Sequence, residues 1–137
     1  ETGHLVLSTL HTQNAASTIN RLIGHYSPDA QEVLRQRLAE VLVATVSLRL
    51  VKDKTGEQLL PAVEVMRTTS TIQACIREGR LDEIEKHIEN GWSQYRMQTL
   101  DQHLVQLCQQ DLITFEQANR ITRSTDLERK LTFTTEY

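Results

Sequence analysis

The sequence predicts an α/β fold: the trailing strands of an α/β domain followed by a small helical bundle. Three observations carry this expectation. The run His4-Leu5-Val6-Leu7-Ser8-Thr9-Leu10 is short and nearly continuously apolar, which suits a strand buried on both faces of a parallel sheet. Two alternating segments flank Asp53-Lys54-Thr55-Gly56 and read as a hairpin with a loop longer than two residues. From Thr69 onward the chain breaks into short stretches of helical period.

A parallel strand needs neighbours to satisfy its ladder hydrogen bonds. The 4–10 strand begins with the chain, so its βα partners are expected upstream of Glu1, in a longer domain of which this is the trailing part. Asn14 can cap a helix carrying Ala15, Ile19, Leu22 and Ile23 and ending near Gly24. Ser27-Pro28-Asp29 is a helix start, with a cap, a proline in the first turn and an acid facing the positive end. The helix behind it is expected to bury Val33, Leu34, Leu38, Val41, Leu42 and Thr45. Val46–Val51 and Leu59–Met66 form the hairpin strands.

Capping-box spacing opens helices at Ser70–Gln73, Thr99–Gln102 and Thr114–Gln117. Their apolar positions are Ile72, Cys75 and Ile76; Leu100, Leu104 and Leu107; and Phe115, Ala118 and Ile121. A further helix from Leu81 to Glu89 uses Leu81, Ile84 and Ile88, with Gly91 suited to a left-handed C-terminal position. No periodicity survives past Arg123, so the tail is expected to be loosely held. The organisation is therefore 1–68, the α/β part; 69–123, the helical bundle; and 124–137, a tail.

Composition excludes several classes. Hydrophobic content of 39% and charged content of 24% are those of an ordinary soluble domain. The net charge is −3, and Lys and Arg are scattered. Aromatic residues amount to 4%, so neither a basic footprint nor a stacking platform for nucleic acid is present. No apolar run approaches the roughly 20 residues of a membrane helix, so direct membrane insertion is not expected. Cys75 and Cys108 form no CxxC pair, which gives no zinc ribbon and no disulfide framework and fits a cytosolic compartment. His4 and His11 are separated by an odd number and would face opposite sides of a continuous strand. His25, His87 and His103 lack an HxxxH spacing, and no metal site is expected.

Ligands of open α/β sheets bind outside the carboxyl ends of the strands. Ser8, Thr9, His11 and Thr12 fall at that end of the first strand. A hydroxyl and an imidazole there could contact phosphate oxygens or orient an attacking water. On such a strand the more common role of histidines is to satisfy local backbone groups.

Specificity comes from a resemblance. Glu1-Thr2-Gly3-His4-Leu5-Val6-Leu7-Ser8-Thr9-Leu10-His11-Thr12 resembles the His box of the type II/type IV secretion ATPase superfamily, in the form found in twitching-motility (PilT-type) retraction ATPases. Pro61-Ala62-Val63-Glu64-Val65-Met66 is similar to that family's P-A-x-E-(I/V)-M strand. Ile72 to Glu78 resembles its A-I-R-N-L-I-R-E motif, and Met97-Gln98-Thr99-Leu100-Asp101 and Leu112-Ile113-Thr114 resemble its M-Q-T-(F/L)-D and G-L-I-(S/T) patterns. There are departures: Gln73, Ala74 and Cys75 stand where the motif has Arg, Asn and Leu, and Asp111 stands where a Gly is expected.

The resemblance implies the C-terminal part of a RecA-like P-loop ATPase domain, followed by its helical bundle, in a homohexamer that uses ATP and Mg²⁺. It implies catalytic roles for His11 and His4 near the terminal phosphate, with Thr9 as a polar sensor, and a coupling or interface role for Arg77 and Glu78. It also implies a cytoplasmic motor, peripheral at the inner membrane, that works on the pilus machinery's platform protein to retract pili. Residues 1–137 contain no GxxxxGK[ST], so no nucleotide-binding residues can be named and the chain alone is expected to be inactive. The alternatives are an assembly or type II secretion ATPase of the same superfamily, and a non-catalytic helical interaction module.

Overall fold

The computed structural model describes residues 3–122 and Leu127. Helix α1 spans Ala15–Gly24 and is opened by a complete capping box: the Asn14 side chain accepts from the Ser17 N–H at 2.8 Å and the Ser17 hydroxyl accepts from the Asn14 N–H at 3.1 Å. Ala15, Ile19 and Ile23 form its buried face. Helix α2 (Pro28–Val41) starts at the expected proline, but Ser27 makes no side-chain cap bond.

The buried face of α2 is narrower than its sequence suggests. Ala39 is buried and Leu34, Leu38 and Leu42 lie half-buried against the core, while Val33 and Val41 are exposed and Thr45 belongs to the next strand. The contact row runs along 34, 38 and 42. Val33 and Val41 stand roughly 100° round the helix from that row and miss the core.

Strands β1 (Ala44–Lys52) and β2 (Leu59–Arg67) form the expected antiparallel hairpin, with Thr45 opposite Met66, Ser47 opposite Glu64 and Arg49 opposite Ala62. The hairpin's inner face holds Ala62, Glu64 and Met66 on β2. On β1 it is the apolar Val46, Leu48 and Leu50 that point outward and are exposed. In the connecting loop the Asp53 carboxylate accepts from the Gln58 N–H and the Thr55 hydroxyl, which holds it below the usual carboxylate pKa, and Gly56 turns the chain at φ 78°.

The strand expected at 4–10 is not formed. Residues 4–12 carry no regular structure, and Leu5, Val6 and Leu7 are 78%, 81% and 86% exposed. Among the described residues the only sheet is β1–β2, so this segment has no strand beside it to complete a ladder or cover its apolar faces.

Helix α3 (Ser70–Glu78) is capped one residue earlier than expected, by Thr69, whose hydroxyl accepts from the Ile72 N–H. It ends at Gly79, which is left-handed at φ 74°. The helix expected over 81–89 is a 3₁₀ turn (Leu81–Glu83) followed by α4 (Ile84–Asn90).

Gly91 is not left-handed; its φ is −86°. What it supplies is space, because a Cβ there would lie 2.1 Å from the Met97 Cε. Helix α5 (Trp92–Tyr95) ends on the left-handed Arg96. Helices α6 (Leu100–Gln109) and α7 (Phe115–Asn119) both open with the expected capping boxes, Thr99/Gln102 and Thr114/Gln117. Phe115 is exposed, leaving Ala118 as the buried contact of α7.

Two apolar clusters result. The first gathers Ile19, Ile23, Met66, Ile72, Ile76, Ile84, Ile88 and Met97 from α1, β2, α3, α4 and the loop before α6. The second gathers Val51, Ala62, Leu104, Leu107, Ile113 and Leu127. The hairpin reaches into both. The expectation of a loosely held tail falls on residues outside those described, apart from Leu127, which is buried in the second cluster.

Candidate functional site

The P-A-x-E-V-M strand and the M-Q-T-L-D segment turn out to be one scaffold. Glu64 is 5% exposed, and its Oε1 accepts from the Ala15 N–H, the first residue of α1, at 2.7 Å. A carboxylate at a helix N-terminus satisfies an orphan donor and meets the positive end of the helix dipole. The Ser47 hydroxyl donates to the same oxygen at 3.4 Å from the facing strand. Glu64 therefore ties the hairpin to the start of α1, four residues beyond His11.

The other edge of β2 is closed by the M-Q-T-L-D segment. Gln98 exchanges backbone hydrogen bonds with Val65 at 2.9 and 3.1 Å, and its side-chain amide donates to the Val63 carbonyl at 2.9 Å. The Val63 N–H donates to the His103 Nδ1 at 2.8 Å. Burial pushes the His103 pKa below its ordinary value. Met97 fills the first cluster, Thr99 caps α6, and the buried Asp101 accepts from the Thr122 hydroxyl at 2.6 Å. A shallow cleft lined by Gln13, Asn14, Glu64, Glu85, Leu100 and Asp101 lies where these elements meet.

His4, Thr9 and His11 all sit on the exposed stretch before α1. None of them lines the cleft. Towards α1 the stretch is anchored: the Thr12 and Thr18 hydroxyls hydrogen-bond at 2.7 Å, and Arg21 donates to the His11 carbonyl at 3.4 Å. The backbone of His11 is thus held near a fixed helix. Sequence reasoning picked out these histidines but passed over Glu64, the residue that fixes the helix behind them. Its signal was a charged residue alternating with Ala62 and Met66 on the buried face of a strand.

Arg77 and Glu78 close α3. Arg77 is half-buried and, among the described residues, makes no side-chain hydrogen bond or ion pair. Glu78 accepts from Arg80 Nε at 2.7 Å. The turn after α3 also brings together Cys75, Glu83 and His87, which sequence spacing did not suggest. Burial raises the Cys75 thiol pKa, against the opposing pull of Arg80. Asp111, at the expected Gly, is left-handed at φ 59°, and its carboxylate pairs with Lys54 of the hairpin loop at 2.6 Å. That position demands a glycine-like backbone, and here an aspartate adopts it.

The family model described as "Type II/IV secretion system protein" matches residues 1–129, and the chain belongs to that family. Within it, the chain is similar to the twitching motility protein of Neisseria gonorrhoeae, at 34% identity over 92% of this chain and 33% of that protein. It is 39% identical to the type IV pilus retraction ATPase PilT of Pseudomonas aeruginosa, over 86% of this chain and 34% of that one. Among solved structures, the pilus retraction motor PilT with bound ADP matches at a TM-score of 0.81 and 34% identity, over 94% of this chain and 36% of that chain. The chain is of the PilT type. It spans about a third of the length of the curated relatives it matches. Among the described residues no helix is long and apolar enough to cross a membrane.

Proposed function

We propose that this chain is the C-terminal portion of a hexameric, ATP-hydrolysing motor that powers type IV pilus retraction. The observation that carries the reading is the 34% identity to a pilus retraction motor that binds ADP, maintained over 94% of this chain at a TM-score of 0.81. In the proposed motor ATP and Mg²⁺ occupy a site whose P-loop is supplied outside residues 1–137. His11 acts beside the terminal phosphate, with Thr9 sensing it and His4 in a lesser role. The motor is cytoplasmic and works against the pilus machinery's inner-membrane platform.

Residues 1–68 serve the nucleotide side and 69–123 the coupling side. Arg77 is the residue best suited to reach a neighbouring element, because it has a guanidinium fork and no partner of its own among the described residues. The departures at Gln73, Ala74 and Cys75 favour the assembly or secretion ATPases as the second reading.

The test uses the full-length ATPase. His11→Ala should lower kcat on the order of 10²-fold while ATP binding changes little, as expected of a group acting on charge that develops during phosphoryl transfer. The 137-residue chain alone should show no ATP turnover above background. Unchanged kcat in the His11 variant would remove His11 from the catalytic role.

A further inference from the structure

We infer that Cys75, Glu83 and His87 form a binding site for a single soft divalent metal ion of the zinc class, at the joint between α3 and α4. The inference does not depend on the motor reading. One ligand atom from each residue lies within 4.8 Å of the other two.

The sequence builds this cluster through its turn. Gly79, left-handed, ends α3 with its own N–H donating to the Ile76 carbonyl at 3.3 Å, and the Arg80 N–H donates to the Cys75 carbonyl at 2.9 Å. This reversal lays the 3₁₀ turn and α4 back against the end of α3. Glu83 and His87 are then four apart, on one face. The Glu83 Oε2 to His87 Nε2 distance is 3.8 Å. Two ligands of a tetrahedral zinc ion stand about 3.4 Å apart, given metal–ligand bonds of roughly 2.0–2.3 Å. Closing the Glu83–His87 pair onto an ion therefore takes a small rotamer adjustment, with the Cys75 sulfur within 4.8 Å of both.

The donor set selects the metal. A thiolate with an imidazole suits zinc and its soft neighbours, whereas magnesium and calcium prefer oxygen donors throughout. Thiolate and carboxylate together cancel a divalent charge, which fits a site whose cysteine is 0% exposed. Binding replaces the thiol S–H bond with an S–metal bond and releases the proton to solvent. Water completes the fourth position, since Glu83 and His87 are only half-buried.

Arg80 Nη1 donates to Glu83 Oε2. A carboxylate has lone pairs enough to keep that bond and ligate a metal, so Arg80 would remain as the group that orients it. An ion here cross-links α3 to α4. The helix it immobilises is the one that carries Arg77 and Glu78.

The test titrates cobalt(II), and then zinc(II) as a competitor, into the full-length reduced protein. An equimolar thiolate-to-cobalt charge-transfer band, displaced by zinc, is expected. Cys75→Ala should abolish the band. His87→Gln changes a side chain that is 31% exposed, leaves the fold intact, and should weaken cobalt binding at least about tenfold, the loss expected when one ligand of a few is removed. Far-ultraviolet circular dichroism confirms that both variants are folded. No band in the wild type, or a band that survives both substitutions, overturns the site and leaves a core thiol beside a helical His–Glu pair.

Discussion

Removing the Glu64 carboxylate tests the idea that this strand residue holds α1, and with it the segment bearing His11. In Glu64→Ala the Ala15 N–H, whose residue is fully buried, loses its acceptor. An orphaned buried donor costs about 1–3 kcal/mol. Loss of negative charge at the N-terminus of α1 adds about 0.3–1 kcal/mol. Together these give roughly 1.3–4 kcal/mol, concentrated in α1. Because each 1.4 kcal/mol is tenfold, hydrogen exchange of α1 amides in the full-length protein should quicken by roughly 8- to 700-fold, while α6 amides change far less. Glu64→Gln keeps an acceptor oxygen and should recover most of the protection, losing about 1 kcal/mol for the charge. If α1 in the alanine variant exchanges within threefold of wild type, the carboxylate is not what fixes the helix. The account of how His11 is positioned then fails with it.

Further expectations address the bundle and the motor. Gly91→Ala places a Cβ 2.1 Å from the flexible Met97 Cε and 3.1 Å from the His87 carbonyl, so thermal unfolding should show a loss of about 1–3 kcal/mol, partly relieved by Met97→Ala. Asp111→Ala keeps the left-handed backbone but loses the Lys54 pair and should cost about 1 kcal/mol; Asp111→Gly trades that exposed pair for relief of backbone strain and should be near neutral. His103 has a folded pKa lowered by burial, so the folded state resists protonation. Its contribution is complete above the unfolded pKa of about 6.5 and is lost as pH falls from there towards the folded pKa, by up to about 1.4 kcal/mol per pH unit. Denaturation midpoints should therefore drop between pH 7 and 5.5 in wild type and less steeply in His103→Asn. Arg77→Ala should leave stability within about 1 kcal/mol and ATP hydrolysis intact while abolishing pilus retraction in cells; normal retraction would remove Arg77 from the coupling role.

Local chemistry was sufficient for much of this chain. Asn14, Pro28, Thr99 and Thr114 start helices in the structure because caps and first-turn prolines act within four residues, a range that sequence records directly. The hairpin is legible for the same reason, since a turn and alternation on either side are nearest-neighbour properties. The ordered motifs from Glu1 to Thr114 carried the family.

Tertiary structure decided what depends on a partner far along the chain. Leu5, Val6 and Leu7 have the pattern of a buried strand, but a strand exists only beside another, and no described residue provides one. Val33 and Val41 have the right spacing and still face water, because which part of an amphipathic surface is covered depends on where α3 packs. Gly91 was read as a backbone device, whereas its role is to make room for Met97. Glu64 looked like one charge in a strand until α1 arrived to be capped by it. Cys75, Glu83 and His87 have no metal-binding spacing in sequence; a left-handed Gly79 and a 3₁₀ turn bring them face to face, because chain reversal converts separations along the chain into contacts that spacing alone does not encode.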